Sequence, residues 1–206
     1  MARLRRKLIR VLQDSKGASA VEFAIVAPIF VFIMISVVEL SLFFLVTSRL
    51  DDAVALYATR LKTGQIVAAG TSVSASNGSV QSIQDIRSGI CDYIAVVSKN
   101  DCINSLEFDV RTAAAFLSDQ NDSPINGSLF KTDNLCFYSG TPGDIVIFKA
   151  YYMYQFANPL LYRTLGYITN YSRGTTTRAG SFFPIQVAKA FKSEMYKTQG
   201  NSGSGC

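Results

Sequence analysis

Between Phe23 and Val46 the chain runs FAIVAPIFVFIMISVVELSLFFLV, 24 residues with a single charged side chain, Glu39. As an α-helix this run is about 36 Å long against a hydrocarbon core of roughly 30 Å, so it can cross a bilayer with some tilt. It is apolar on every face and has no amphipathic stripe to lay against a soluble core. A secretory h-region is usually about 7–15 residues long and ends at a small-residue cleavage site. Here Thr47-Ser48-Arg49-Leu50-Asp51-Asp52 follows instead, which predicts that ordinary signal peptidase leaves the segment in place. Arg3, Arg5, Arg6, Lys7, Arg10 and Lys16 precede the run and only Arg49 follows closely. The positive-inside bias therefore predicts a cytoplasmic amino terminus, a single pass and an exported region from about residue 47.

Those same basic residues account for the charge of the chain. Net charge over the 206 residues is +5, and all of it lies before Ala18; residues 18–206 carry 14 basic and 14 acidic side chains. A polyanion binder displaces counterions with a basic folded surface, so no nucleic-acid partner is expected. With 49% apolar and 17% charged residues, the chain is neither disordered nor fibrous. Histidine is absent, which excludes Ser-His-Asp and Cys-His catalysis, His-liganded zinc or haem, and His-based pH switching. The exported acids form no recognisable motif, and the four cysteines lack a C-x-x-C spacing. No catalytic residue, cofactor or metal is expected, and the chain is not expected to be an enzyme.

The carboxylates near the run carry more information. Glu22 opens it, in the context Lys16-Gly17-Ala18-Ser19-Ala20-Val21-Glu22-Phe23. A basic leader, a glycine, small residues, a Glu-aromatic pair and a hydrophobic helix together resemble a type IV prepilin signal, and Glu22-Phe23 resembles the Flp variety of tight-adherence systems. The resemblance implies cleavage by a membrane prepilin peptidase between Gly17 and Ala18, leaving residues 18–206 as the mature chain. Cleavage would create an α-ammonium, with an ordinary pKa of about 7.7–8.0, one helical turn or roughly 6 Å of rise from Glu22. An unpaired carboxylate in lipid costs roughly 2.5–3.5 kcal/mol, so Glu22 calls for a partner, either its own amino terminus or that of a neighbouring subunit. Glu39 lies about 7 Å beyond the midpoint of the run and points from a different face, which predicts a contact with another protein. Pro28 removes one helical amide and is expected to kink the helix.

Past the membrane, Leu50, Val54, Tyr57 and Leu61 recur at helical spacing, predicting that the helix continues to about Lys62 and stops at Gly64. Residues 69–82 are serine-rich and read as a loop. Ile83, Ile86, Ile90, Tyr93 and Val97 mark a second helix, and Leu106, Phe108 and Val110 alternate with Glu107, Asp109 and Arg111 in the pattern of a half-buried strand. Pro142-Gly143 fits a type II turn leading into a strand from Ile145 to Phe156, whose apolar face is Val146, Phe148, Ala150, Tyr152, Tyr154 and Phe156. Asn158-Pro159 ends it, and a last, partly buried strand is expected around Ile185–Phe191. Seven of the ten tyrosines fall between Tyr138 and Tyr171, either as packing or as a contact surface. The fold class expected is α+β: a leader at 1–17, a transmembrane helix continuing into an amphipathic stalk over 18–64, an exported head with an antiparallel sheet over 65–196, and a flexible tail at 197–206.

The leader, the second acid at Val38-Glu39, Pro142-Gly143-Asp144-Ile145-Val146 leading into Ala150-Tyr151-Tyr152, and the closing Phe191-Lys192-Ser193-Glu194 together resemble the TadE-like minor pilins, or pseudopilins, of the tight-adherence pilus machinery. The resemblance is strongest before residue 65 and weaker over 66–135. It departs where Glu194-Met195-Tyr196 replaces a Glu-Pro-aromatic ending and where the tail KTQGNSGSGC is added. It implies a prepilin peptidase, other minor and major pilins, and an inner-membrane assembly platform as partners, with Glu22, Phe23 and Glu39 serving subunit recruitment and assembly in a pilus used for surface attachment. The alternative is an unprocessed, signal-anchored envelope protein with an exported binding or sensory domain. Cys91, Cys102, Cys136 and Cys206 all fall on the exported side, where disulfides persist. Cys91 and Cys102 flank a short helix-to-strand connection and are the favoured pair; Cys136 and Cys206 pair with each other, or Cys206 links to another subunit.

Overall fold

The computed structural model describes residues 15–68, 79–81, 83–114, 123–133, 135, 137–138, 142–173 and 176–194. Its first element is α1, Ser15–Lys62, which continues through Pro28 without breaking. Backbone contacts divide the chain into two compact units, Met1–Ser41 and Leu42–Cys206.

The first unit is the apolar part of α1. Ile29 through Ile35 are all exposed, so two consecutive turns present apolar side chains around the whole circumference. Ser36 and Ser41 donate their hydroxyls to the carbonyls of Phe32 and Val37, each at 2.9 Å, which satisfies them within the helix. A helix apolar on all sides and internally hydrogen-bonded has the length and composition to cross a membrane.

The second unit begins with the rest of α1, where the pattern becomes amphipathic. Val46, Leu50, Ala53, Val54, Tyr57, Ala58 and Leu61 form its buried stripe. The helix stops in a Schellman motif: Gly64, at φ 64°, donates to Leu61, and Gln65 donates to Arg60 at 3.0 Å. After a short parallel pair, β1 (Ile66–Ala68) and β2 (Ser79–Gln81), come α2 (Ile83–Ile94) and α3 (Lys99–Ser105). A Cβ on Gly89 of α2 would meet the Tyr57 hydroxyl at 1.8 Å, so only glycine lets α2 approach α1 this closely.

The remaining strands are β3 (Leu106–Thr112), β4 (Ile125–Asn126), β5 (Leu129–Lys131), β6 (Ile145–Tyr154), β7 (Ile168–Arg173) and β8 (Thr176–Lys192), with a short α4 (Pro159–Thr164) between β6 and β7. They form one six-stranded sheet in the order β3-β6-β8-β7-β5-β4. The sheet is mixed rather than antiparallel, because β5 runs parallel to β7 while the other neighbours are antiparallel. The long β8 joins its halves, pairing with β7 over its first part and with β6 from Phe183 to Lys192.

Alternation along β6 gives the sheet two cores. Val146, Phe148, Ala150, Tyr152 and Tyr154 pack under the α1 stripe and α2, whereas Tyr151 and Met153 join Phe130, Ile168, Tyr171 and Phe182 in a separate cluster. Burial of both faces is where several expectations change. β3 is buried on both faces, with Glu107, Asp109 and Arg111 no more than 4% exposed. β6 ends at Tyr154 instead of Phe156, and β8 begins at Thr176 well ahead of Ile185. Asn158-Pro159 starts α4, with the Asn158 side chain accepting from the Leu160 amide at 2.9 Å.

Candidate functional site

α1 begins at Ser15, so the Gly17–Ala18 bond lies in its first turn. The first amides of a helix have no intrahelical acceptor, and a glycine interior to a helix is about 1 kcal/mol less favourable than alanine. Glu22 and Phe23 are both exposed, Phe23 at 73%. Glu22 stands four residues past Ala18, on the same helix face, so an ammonium formed at Ala18 would be a turn away from its carboxylate.

Glu39 differs from its surroundings. Val37 and Val38 are more than half exposed, but Glu39 is 8% exposed. It also has an interaction partner.

The Cys91–Cys102 disulfide is present and ties the end of α2 to α3. Cys136 and Cys206 lie outside the described residues, as do most of the leader and the tail. Four of the clustered tyrosines, Tyr151, Tyr152, Tyr154 and Tyr171, are buried and pack the head; Tyr167 is 47% exposed.

The charged face of β3 forms a buried network that the alternating pattern concealed. Glu107 accepts from Arg87 Nη2 at 2.8 Å, from the Tyr171 hydroxyl at 2.5 Å and from Arg173 Nε at 3.0 Å. Arg87 also donates through Nε to the Leu106 carbonyl at 2.8 Å. Burial lowers the Arg87 pKa and Glu107 opposes that shift, while burial chiefly, with Glu107 adding, raises that of Tyr171. Next to it Arg111 pairs with Asp109 at 2.8 Å. These groups lock α2, β3 and β7 together, and Tyr171 and Arg173 also line, with Asn104 and Arg178, a cleft of about 310 Å³. A cleft of about 370 Å³ lies nearby, lined by Ser98, Asp101, Ser105, Tyr152, Gln155 and Arg178 among others. Among the described residues, no group of three or more Cys, Asp or Glu side chains is placed to hold a metal ion.

At its far end α1 is tied to the last residues of the head. Glu194 donates its amide to the Lys62 carbonyl at 3.2 Å and its carboxylate pairs with the Lys62 ammonium at 3.0 Å. Asp51 pairs with Lys189 of β8 at 2.8 Å. Lys189 and Glu194 thus hold the amphipathic part of α1 against the sheet.

Residues 17–56 match the family model for TadE-like proteins. The match starts at Gly17, includes Glu22, Phe23 and Glu39, and ends within the amphipathic part of α1. No curated protein and no solved structure matches the chain.

Proposed function

We propose that this chain, whose residues 17–56 form a TadE-like domain, is a membrane-held minor pilin that a prepilin peptidase processes between Gly17 and Ala18. Processed in this way, it primes, caps or enters a tight-adherence type IV pilus used for surface attachment. The observation that carries the reading is the coincidence of the family match with a glycine in the first turn of a 48-residue helix that is apolar first and amphipathic after.

The mechanism is helix packing rather than catalysis. The apolar half of α1 stores the subunit in the inner membrane, with the leader cytoplasmic and the head periplasmic. Cleavage removes the basic leader that holds the amino terminus on the cytoplasmic side, and leaves an ammonium near Glu22. That carboxylate, exposed and costly in lipid, then pairs with its own or a neighbouring amino terminus and sets the register between subunits. The partners are the peptidase, sibling pilins and the assembly platform.

Intact mass and amino-terminal sequencing of the protein from membranes, with and without the prepilin peptidases, test this. A start at Ala18 that requires a peptidase, and that Gly17→Val abolishes, is the expected result. A Met1 start in both strains would instead establish an unprocessed signal anchor. Glu22→Ala should leave cleavage intact and reduce piliation, and normal piliation would remove the glutamate from the mechanism.

A further inference from the structure

α4 is six residues long and buries none of them, yet it is firmly built. Asn158, 4% exposed, caps its start, and the Ser181 hydroxyl of β8 lies within donating distance of the carbonyls of Tyr162, inside the helix, and Gly166, after its end, at 2.7 and 2.8 Å. A Cβ on Gly166 would meet the Ser181 hydroxyl at 2.1 Å, so the turn is pressed against β8. On this rigid mount Leu160, Leu165 and Tyr167 are 52%, 38% and 47% exposed, with Arg163 exposed beside them. A short, capped element that offers two leucines and a tyrosine to the outside gains nothing from that arrangement in water.

Its neighbourhood suggests a membrane surface, because Phe43 of α1 and Tyr167 both pack on Phe183. Roughly 20 helical residues cross the hydrocarbon core, so a span entered at Phe23 reaches the opposite interface at about Phe43. Phe43 belongs to the same compact unit as the head, and its ring lies 5.4 Å from Tyr154, 5.6 Å from Phe156 and 5.4 Å from Phe183. Tyr167 packs edge-on to Phe183 at 6.0 Å. An open groove lined by Gln155, Phe156, Ala157, Pro159 and Tyr162 runs along the same edge. Aromatic rings concentrate at the headgroup level of bilayers, where an apolar body and a polar tip are both satisfied. We infer that α4 and Tyr167 form an interfacial membrane contact, Leu160, Leu165 and Tyr167 entering the outer headgroup region while Arg163 meets lipid phosphate. This rests on the reading of α1 as a membrane span. It would hold the head upright on the bilayer until the subunit is drawn into an assembly.

The chain has no tryptophan, so single Trp reporters can be read cleanly. Leu160→Trp and Tyr167→Trp would be compared in the full chain, reconstituted in phosphatidylethanolamine–phosphatidylglycerol vesicles carrying bromine near the top or near the end of the acyl chains. Phe30→Trp reports the span. Ile145→Trp reports the opposite end of β6, about 30 Å from Tyr154 along the strand. Loss of fluorescence at 160 and 167 with shallow bromine, and at 30 with deep bromine, with 145 unaffected, is expected. Quenching at 30 but at neither 160 nor 167 overturns the contact, leaves the span standing and frees this surface for a protein neighbour. No quenching at 30 means that the span itself fails. Equal quenching at 145 and 167 would also overturn the contact, since the head would then lie on the bilayer without a preferred edge.

Discussion

Glu107 is the residue whose role is least visible in the linear sequence. Alternation with Leu106, Phe108 and Val110 puts it on the polar side of a strand, and nothing local says that this side is also covered. Coverage comes from Arg87, twenty residues earlier, and from Tyr171 and Arg173, more than sixty residues later. Removing one partner from such a pair strands buried charge, at a cost of about 3–5 kcal/mol. Glu107→Gln should therefore destabilise the head by about that much in urea unfolding of the full chain in detergent, because Arg87, 4% exposed, keeps its charge without its counterion. A loss below about 1 kcal/mol would show that solvent or other acids compensate the arginines. Glu22 is the opposite case: the glycine and its spacing are local, and residues 17–56, which carry both, match a family model.

Among the elements, α1 was the most legible. A long apolar run followed by a 4-3-4 stripe and a glycine specifies membrane helix, amphipathic helix and stop without reference to the rest of the chain, and the Schellman motif at Gly64 ends it there. α2 and α3 are short, and their disulfide is a principal tie between them. Cross-linking residues 11 apart restricts the unfolded chain by about 3 kcal/mol. The Cys91→Ser/Cys102→Ser double variant should lower the thermal midpoint of the head, and the parent chain under reductant should fall to the same value. Unequal midpoints would show that serine at these buried positions adds a cost of its own. α4 has no clear signal of its own in the sequence, because Asn-Pro serves equally as a strand stop and as an N-cap with proline at the first helical position.

In the whole molecule, the doubly buried sheet sets the pH behaviour. Burial holds the phenols of Tyr151 and Tyr171 well above their ordinary value near 10 and pushes Tyr152 up to about 12. Above pH 10 the unfolded chain releases protons that the native head retains. Unfolding is then favoured as pH rises: the stability these tyrosines contribute is complete below about pH 10 and declines above it, by about 1.4 kcal/mol per pH unit for each one. Denaturant midpoints taken from about pH 9 to pH 12 should fall with that onset, and a flat profile would mean that these phenols ionise in place. By itself, the sequence determined the membrane-competent helix, its amphipathic continuation and the strand of β6, because each is written in neighbouring residues with a period of its own. Only the tertiary structure decided that the sheet is mixed, that β3 is buried on both faces, that β8 bridges the two halves, and that Phe43 and Tyr167 both pack on Phe183. Those outcomes depend on which distant segments meet, and hydrophobic periodicity records how a segment faces a core without recording what lies on the other side.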